Sequence, residues 1–511
     1  MKKLPIGIQS FGKLIMEGHY YVDKTPFVKK LEDGGYYFLS RPRRFGKSLF
    51  LDTLKEAFSG NKELFKGLYL YDNWDWERRY LVIKISFGSG VMDSKEKLIK
   101  VIDSFLAKIA EENQLQLKEQ VLSLRFQELI ERLCHKYDQK VVVLIDEYDK
   151  PILDRIEDLE VAKQNREVLK DFYSVLKDAD PYLRLVFLTG VSRFSKVSIF
   201  SGLNQLRDIT LSPEFATVCG YTQEDLETVF EDRLKGFDRE EIRRWYNGYN
   251  WLGESVYNPF DILLLFAENR YRPYWFETGT PTFLIKLFQK NRYYLPRLEE
   301  MRVGEELLSN LDVDYIFPEN LLFQTGYLTI KDMLTLEGSN VYVLTYPNLE
   351  VKKSFNDAFL TYLYPDPSIK DGTKIDILLS FRDGAVEKLQ NILHSFFSSI
   401  PLDWYRKNDI DSYEGYYASV IYALFNGAGL TTIAEDTTNV GRIDLTVIYQ
   451  DKVYILEFKV VENEAEGTAL RQIRDKRYYE KYMGKYNQIY LIGIECSKSS
   501  KNIVSFEFEK A

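Results

Sequence analysis

Cysteine and histidine are the scarce residues of this chain, with three of each in 511 positions. Cys134, Cys219 and Cys496 lie far apart, which excludes a disulfide framework and a cysteine zinc cluster, and three histidines are too few for a histidine-rich metal site. Any catalytic metal is therefore expected on carboxylates. No uninterrupted apolar run approaches the ~20 residues needed to span a bilayer, and the basic start Met1-Lys2-Lys3 leads into no apolar signal core. No membrane association and a cytoplasmic location are expected. Repeats and low-complexity segments are also missing. A net charge of -9 speaks against a protein that coats nucleic acid through general basicity, while leaving room for a local binding face.

What is present is a globular composition, 45% hydrophobic and 28% charged, on a chain too long for one ordinary core. In residues 1–212, apolar strand-like runs alternate with amphipathic stretches, the signature of an α/β sheet with crossover helices. Strands are predicted at Tyr36–Leu39, Leu81–Ser86, Val141–Ile145 and Arg184–Thr189, with helices at Leu98–Ala110 and Val121–Tyr137. Their continuous apolar character predicts parallel strands covered on both faces. Residues 213–380 turn to helical segments with Pro and Gly breaks. Within them, strands at Gly326–Ile330 and Val341–Tyr346, joined through Gly338-Ser339-Asn340 after a helix-like stretch from Glu305, fit a small winged-helix unit. Residues 381–511 open with helices, then supply a β-hairpin, a basic helix and a last strand, Gln488–Ile494.

The first strand runs into SRPRRFGKSLFLDTLKEAF, a tight loop followed by an amphipathic helix. Its Gly46-Lys47-Ser48 core matches the end of a phosphate loop. Backbone amides from Arg44 through Phe45 and Gly46 would meet phosphate oxygens of ATP, Lys47 would contact the β and γ phosphates, and the Ser48 hydroxyl would coordinate Mg2+. The first glycine of that motif is replaced by Arg41, so a different backbone path is expected. Val141–Ile145 ends in Asp146-Glu147, where Asp146 would hold Mg2+ and Glu147 would orient the attacking water; the competing reading is a strand end with a helix-capping acid. Thr189 and Arg193 follow another strand and would sense the γ phosphate and stabilise its developing charge, unless they are turn residues.

The second chemical signal is GRIDLTVIYQDKVYILEFK. Two β-rich segments, Ile443–Tyr449 and Lys452–Lys459, flank Gln450-Asp451. If those two residues form the loop, Asp444 falls opposite Glu457 on one face, and Lys459 shares that face by the period of two. Two carboxylates side by side are unfavourable unless offset, and a hard divalent cation would offset them. A solvated face of alternating charges is the rival reading. Glu457 ends a nearly continuous apolar run, which favours the metal.

These motifs, with YYVDKT at Tyr20–Thr25, LIDEYDKP at Leu144–Pro151, LTGVSRFS at Leu188–Ser195, WYNGY at Trp245 and YNPF at Tyr257, resemble a prokaryotic family. It is that of AAA-ATPase-like proteins carrying a C-terminal nuclease domain of the PD-(D/E)XK superfamily. The resemblance implies a P-loop ATPase domain, a helical or winged-helix-like middle and an α/β restriction-endonuclease-like domain. By that likeness Asp444 and Glu457 are metal ligands and Lys459 orients water or stabilises the phosphorus. Glu414 matches the extra helical carboxylate of the superfamily, or is an exposed helix acid; Gln472 resembles the additional glutamine of some members, or is a surface residue. The function implied is ATP hydrolysis coupled to magnesium-dependent cleavage of nucleic acid, DNA being expected. The alternative is an ATPase switch whose nuclease-like domain only binds nucleic acid or a partner. The six basic residues between Arg471 and Lys485 would meet phosphates. AAA-like modules often form rings, so a homo-oligomer is allowed, whereas Arg193 within the same chain would let a monomer work.

Overall fold

The structure, a computed structural model, describes the chain apart from residues 195–198, 201–202, 279–283, 285–293, 310, 315, 364–366 and 401–413, so Ser195 of the LTGVSRFS motif lies outside the described residues. The described chain packs as two compact units, residues 1–275 with 302–343 and residues 276–301 with 344–511. The 213–380 stretch is thus divided between them. No helix among the described residues is long and apolar enough to cross a membrane.

In the first unit, β1 (Gly35–Ser40), β2 (Leu81–Ser86), β3 (Val141–Asp146), β4 (Leu183–Gly190) and the short β5 (Arg207–Asp208) form one sheet in the order β2-β3-β4-β1-β5. Every pair is parallel. The four predicted strands all lie in it. β3 is buried at every position, as an all-apolar run must be when helices cover both faces. The helices Lys95–Glu112, Leu122–Tyr137 and Leu159–Asp178 contribute Leu98, Ile102, Phe126, Leu129 and Phe172 to the core that contains Val141, Val143 and Val186. Parallel strands all point one way, so the chain leaves β1, β3 and β4 at one edge, where ligands of such sheets bind.

Separately, β6 (Met301–Gly304), β7 (Thr329–Leu336) and β8 (Ser339–Thr345) form a small sheet in the order β6-β8-β7. A hairpin is there, but its first strand starts at Thr329, after Gly326 ends the preceding helix, and runs on to Leu336, its second starts at Ser339, and its turn is Glu337-Gly338, one residue earlier than the sequence suggested. Both residues have positive φ, +49° and +82°, the pairing a tight two-residue hairpin requires.

The second unit holds β9 (Thr431–Thr437), β10 (Arg442–Tyr449), β11 (Lys452–Val461), β12 (Gln488–Ser497) and β13 (Asn502–Lys510), in the order β13-β12-β11-β10-β9. β11 and β12 are parallel, and the Thr468–Lys476 helix crosses between them. This helix is shorter than the basic helix read from sequence. It ends at Lys476 because Arg477 is left-handed, with φ +52°, and a single 3-10 turn follows at Tyr478–Lys481.

Candidate functional site

A cleft of about 420 Å³ opens at the strand edge of the first unit. Its walls include Arg43, Arg44, Gly46, Lys47 and Ser48 from the loop after β1, and Glu147 and Asp149 from the segment after β3. Tyr221, Phe260 and Leu263 form an apolar wall. The YNPF motif builds that wall: Asn258 caps the Pro259–Glu268 helix by accepting from Phe260 N, Pro259 occupies the first turn, and Phe260 is thereby presented to the cleft.

The loop bends through two left-handed residues, Arg44 at φ +69° and Gly46 at φ +94°, before the Lys47–Phe58 helix starts. Phe45 does not face the cleft; it is buried edge-on against Tyr249 and Trp251 and anchors the loop. Lys47 donates to the carbonyl oxygens of Arg41 and Pro42, each at 2.9 Å. Burial pulls its ammonium below the usual lysine range, against the opposing attraction of Asp146.

Arg41, in place of the first loop glycine, points away from the cleft. Its fully buried guanidinium donates to Ser40 O and Thr210 O at 2.8 Å, Phe215 O at 3.0 Å and Ala216 O at 3.5 Å, and stacks 4.2 Å from the Trp251 ring centroid. The side chain therefore ties the loop to the 210–216 segment. Restoring the standard glycine should harm the protein: Arg41→Gly leaves several buried carbonyls unpaired and opens a cavity, costing about 3 kcal/mol or more. A denaturation midpoint unchanged from wild type would contradict this.

Asp146 ends β3 at 3% exposure with Oδ1 buried and without a partner among the described residues. Glu147 follows at φ +51° and lines the cleft, and burial, reinforced by Asp146, raises its carboxyl above the usual range. Asp149 was not singled out from sequence. It accepts from Val191 N, Ser192 N and Ser192 Oγ at 3.0, 2.5 and 2.5 Å, so it locks the turn after β4 to the segment after β3. Thr189 and Arg193 are not brought to the cleft. The Thr189 hydroxyl donates to Leu39 O at 2.9 Å, and Arg193 is ion-paired with Asp208 while its N–H donates to Gln324 Oε1.

In the second unit, Gln450-Asp451 forms the turn, with Gln450 at φ +54°, and Tyr449 pairs with Lys452 through to Leu445 with Leu456. One step further in that register sets Asp444 against Glu457. The Asp444 carboxylate accepts from Phe458 N at 2.8 Å. Lys459 Nζ stands 3.2 Å from Glu457 Oε1 and 3.6 Å from Glu414 Oε1, which begins the Glu414–Gly427 helix. Gln472 also donates to Glu457. All five residues named from sequence therefore meet.

Burial, and then the neighbouring Asp444 charge, pushes Glu457 well above the carboxylate range; burial also pushes Asp444 up, opposed by its Phe458 hydrogen bond and by Lys459. Glu457 is 1% exposed, and its Oε2 has no partner among the described residues. Tyr478, which sequence reading passed over, stands beside the cluster: burial and then Glu457 raise its hydroxyl. It follows a basic run with no periodic signal.

The Thr468–Lys476 helix can deliver Gln472 because Gly493, paired with Glu457 in the ladder, lets the helix lie on the sheet. A Cβ at Gly493 would sit 2.4 Å from Leu470 N. The buried Glu495 carboxylate fixes the helix start by accepting from Glu466, Gly467, Thr468 and Ala469 N–H groups. Gly493→Ala should therefore lift the helix, costing about 2 kcal/mol or more, as overpacking does. An unshifted melting temperature would refute that account. Among the six basic residues from Arg471 to Lys485, Arg474, Arg477 and Lys481 are paired with Glu509, Glu480 and Asp436.

Residues 5–200 match the family model described as Predicted AAA-ATPase, and residues 412–506 match that of the PD-(D/E)XK nuclease superfamily. The chain is also 50% identical over 523 residues, covering 99% of each sequence, to a protein of Azotobacter chroococcum mcd 1 described as "Uncharacterized protein in vnfD 5'region".

Proposed function

Because the chain belongs to the family of AAA-ATPase-like proteins with a C-terminal PD-(D/E)XK nuclease superfamily domain, we propose that it hydrolyses ATP in the first unit and phosphodiester bonds of nucleic acid, most naturally DNA, in the second. The observation that carries this reading is Glu457: a buried carboxylate with one oxygen unpartnered, set beside Asp444 and Lys459. Lys459 offsets that charge only in part, since burial and Asp444 still hold the carboxyl above its usual range, so a second cation would stabilise the pair. Mg2+ commonly takes one or two carboxylates and completes its shell with water and phosphate oxygens, so Asp444 and Glu457 would suffice as its protein ligands; among the described residues no three of His, Cys, Asp and Glu are placed to hold a metal without such help.

Asp444 and Glu457 would hold the ion, which when bound supplies Lewis acidity at the scissile phosphate. Lys459 sits where its ammonium orients the attacking water or balances charge growing on the phosphoryl oxygens. Gln472 holds the Glu457 carboxylate in place. In the cleft, Lys47 and the loop amides would bind the triphosphate and Glu147 would take a proton from the attacking water, while Ser48, with Asp146 buried outside the cleft lining, would hold Mg2+. The test is a cleavage assay on single- and double-stranded DNA and RNA, with and without ATP and Mg2+. Cleavage of none under any nucleotide condition would leave the regulatory-switch reading in its place.

A further inference from the structure

We propose that Arg43, carried by the phosphate loop itself, supplies the positive charge that stabilises the γ phosphate during ATP hydrolysis, so that each chain completes its own catalytic centre. The inference rests on the nucleotide-hydrolysis reading above and names the residue that reading lacks. Phosphoryl transfer needs a cation at the outer phosphate beyond the loop lysine, because charge spreads over the phosphoryl oxygens as the bond to the leaving group loosens.

The described basic side chains lining the cleft are Arg43, Arg44, Lys47 and Lys150. Lys150 is held by Asp154 at 2.6 Å and by Gly90 O at 3.1 Å. Arg44, also exposed, is engaged by the Phe260 ring, its guanidinium 4.7 Å from the centroid. Lys47 is the loop lysine. Arg43 remains. Its side chain is exposed, lines the cleft, and has no carboxylate, hydrogen-bond or ring partner among the described residues, its one neighbouring titratable group there being the buried Tyr327 hydroxyl, on which its charge acts. Its backbone is not loose, since Trp275 Nε1 donates to Arg43 O at 3.1 Å and Pro42 packs under Gly326. A fixed backbone with an uncommitted guanidinium is what a charge donor requires. Arg193, the residue that sequence position suggested for this role, is committed to Asp208 and does not line the cleft.

In the step itself the water oxygen bonds to the γ phosphorus while the bond from that phosphorus to the β–γ bridging oxygen breaks, its electron pair staying on ADP. The water proton passes to Glu147 and from there to solvent. Arg43 forms no covalent bond; its N–H groups face the oxygens on which charge grows.

The experiment measures both ATP binding, with a fluorescent ATP analogue, and ATP turnover for the full-length wild type, Arg43→Ala, Arg43→Lys, Arg193→Ala and Lys47→Ala. The expected result is that Arg43→Ala binds nearly as wild type but turns over about 10²-fold or more slowly, with partial rescue in Arg43→Lys. Mixing Arg43→Ala with Lys47→Ala, which retains Arg43, should restore nothing, because the charge acts within one chain. Three results would overturn the proposal: wild-type turnover in Arg43→Ala, restored turnover on mixing, or loss of turnover in Arg193→Ala with binding intact and Arg43→Ala unaffected. A wild type that binds ATP without turning it over sinks the proposal alone, whereas one that binds no ATP removes the nucleotide reading beneath it.

Discussion

Glu457→Gln should abolish magnesium-dependent cleavage and yet make the metal-free protein more stable. The loss of rate is expected at about 10³-fold or more, since removing one charge-stabilising group in such a site costs about 10²–10³ and here the ion itself loses an anchor. The gain in stability follows from the raised carboxyls. An acid whose folded pKa lies above its unfolded one binds its proton more tightly in the folded state, so folding is most favoured below the unfolded pKa and loses stability as pH rises towards the folded value. For Glu457, pushed up to about 8, that window runs from the ordinary carboxylate range to about pH 8. Glutamine keeps the Lys459 and Gln472 neighbours but carries no charge to bury. Thermal melts without metal should show Glu457→Gln above wild type by about 1–3 kcal/mol at pH 8 and little different at pH 4. Mg2+ should raise the wild-type melt and leave the variant unmoved. A variant less stable than wild type at pH 8 would show that Glu457 is not held at an electrostatic cost, and the metal reading would lose its support.

The legibility of this site in sequence has a physical basis. Strand side chains alternate with a period of two and a two-residue turn fixes register, so Asp444, Glu457 and Lys459 can be placed together by counting. The parallel strands were legible for a similar reason, because burial on both faces demands an unbroken apolar run. Glu414 and Gln472 needed family resemblance, since their helices approach from outside the hairpin. What Gly493 does depends on a contact between residues 470 and 493 that no local pattern encodes. The same limit applied to Arg41 and Arg193. Sequence position predicted a different backbone path at Arg41 without saying where its side chain goes, and offered Arg193 as a charge donor or a turn residue; the side chains are committed to the 210–216 carbonyls and to Asp208. Arginine is long enough that its position in the chain fixes its head group poorly.

Lys47→Ala and Glu147→Gln should both end ATP turnover, for opposite reasons that thermal shifts can separate. Lys47 is buried against Arg41 O and Pro42 O, so it must leave those carbonyls to meet a triphosphate. Without it the phosphates lose their central cation and ATP should no longer bind. A ligand at 100 times its Kd stabilises the folded state by about 2.7 kcal/mol, a shift the wild type should show with ATP and Mg2+ and Lys47→Ala should not. Lys47→Ala also unpairs two carbonyls, so its melt without nucleotide should fall by about 1–2 kcal/mol. Glu147→Gln should keep the ATP-induced shift, because Glu147 acts on the water and not on the phosphates. Its amide also removes a carboxyl that burial and Asp146 hold above the usual range, so its melt without nucleotide should not fall. Nuclease assays on the pair then address coupling. Cleavage that persists in Glu147→Gln with ATP but fails in Lys47→Ala would assign control to nucleotide binding, and failure in both would assign it to turnover. If Lys47→Ala still hydrolyses ATP at the wild-type rate, the loop after β1 is not the nucleotide site, and the cleft lined by Arg43, Lys47 and Glu147 must serve another anion.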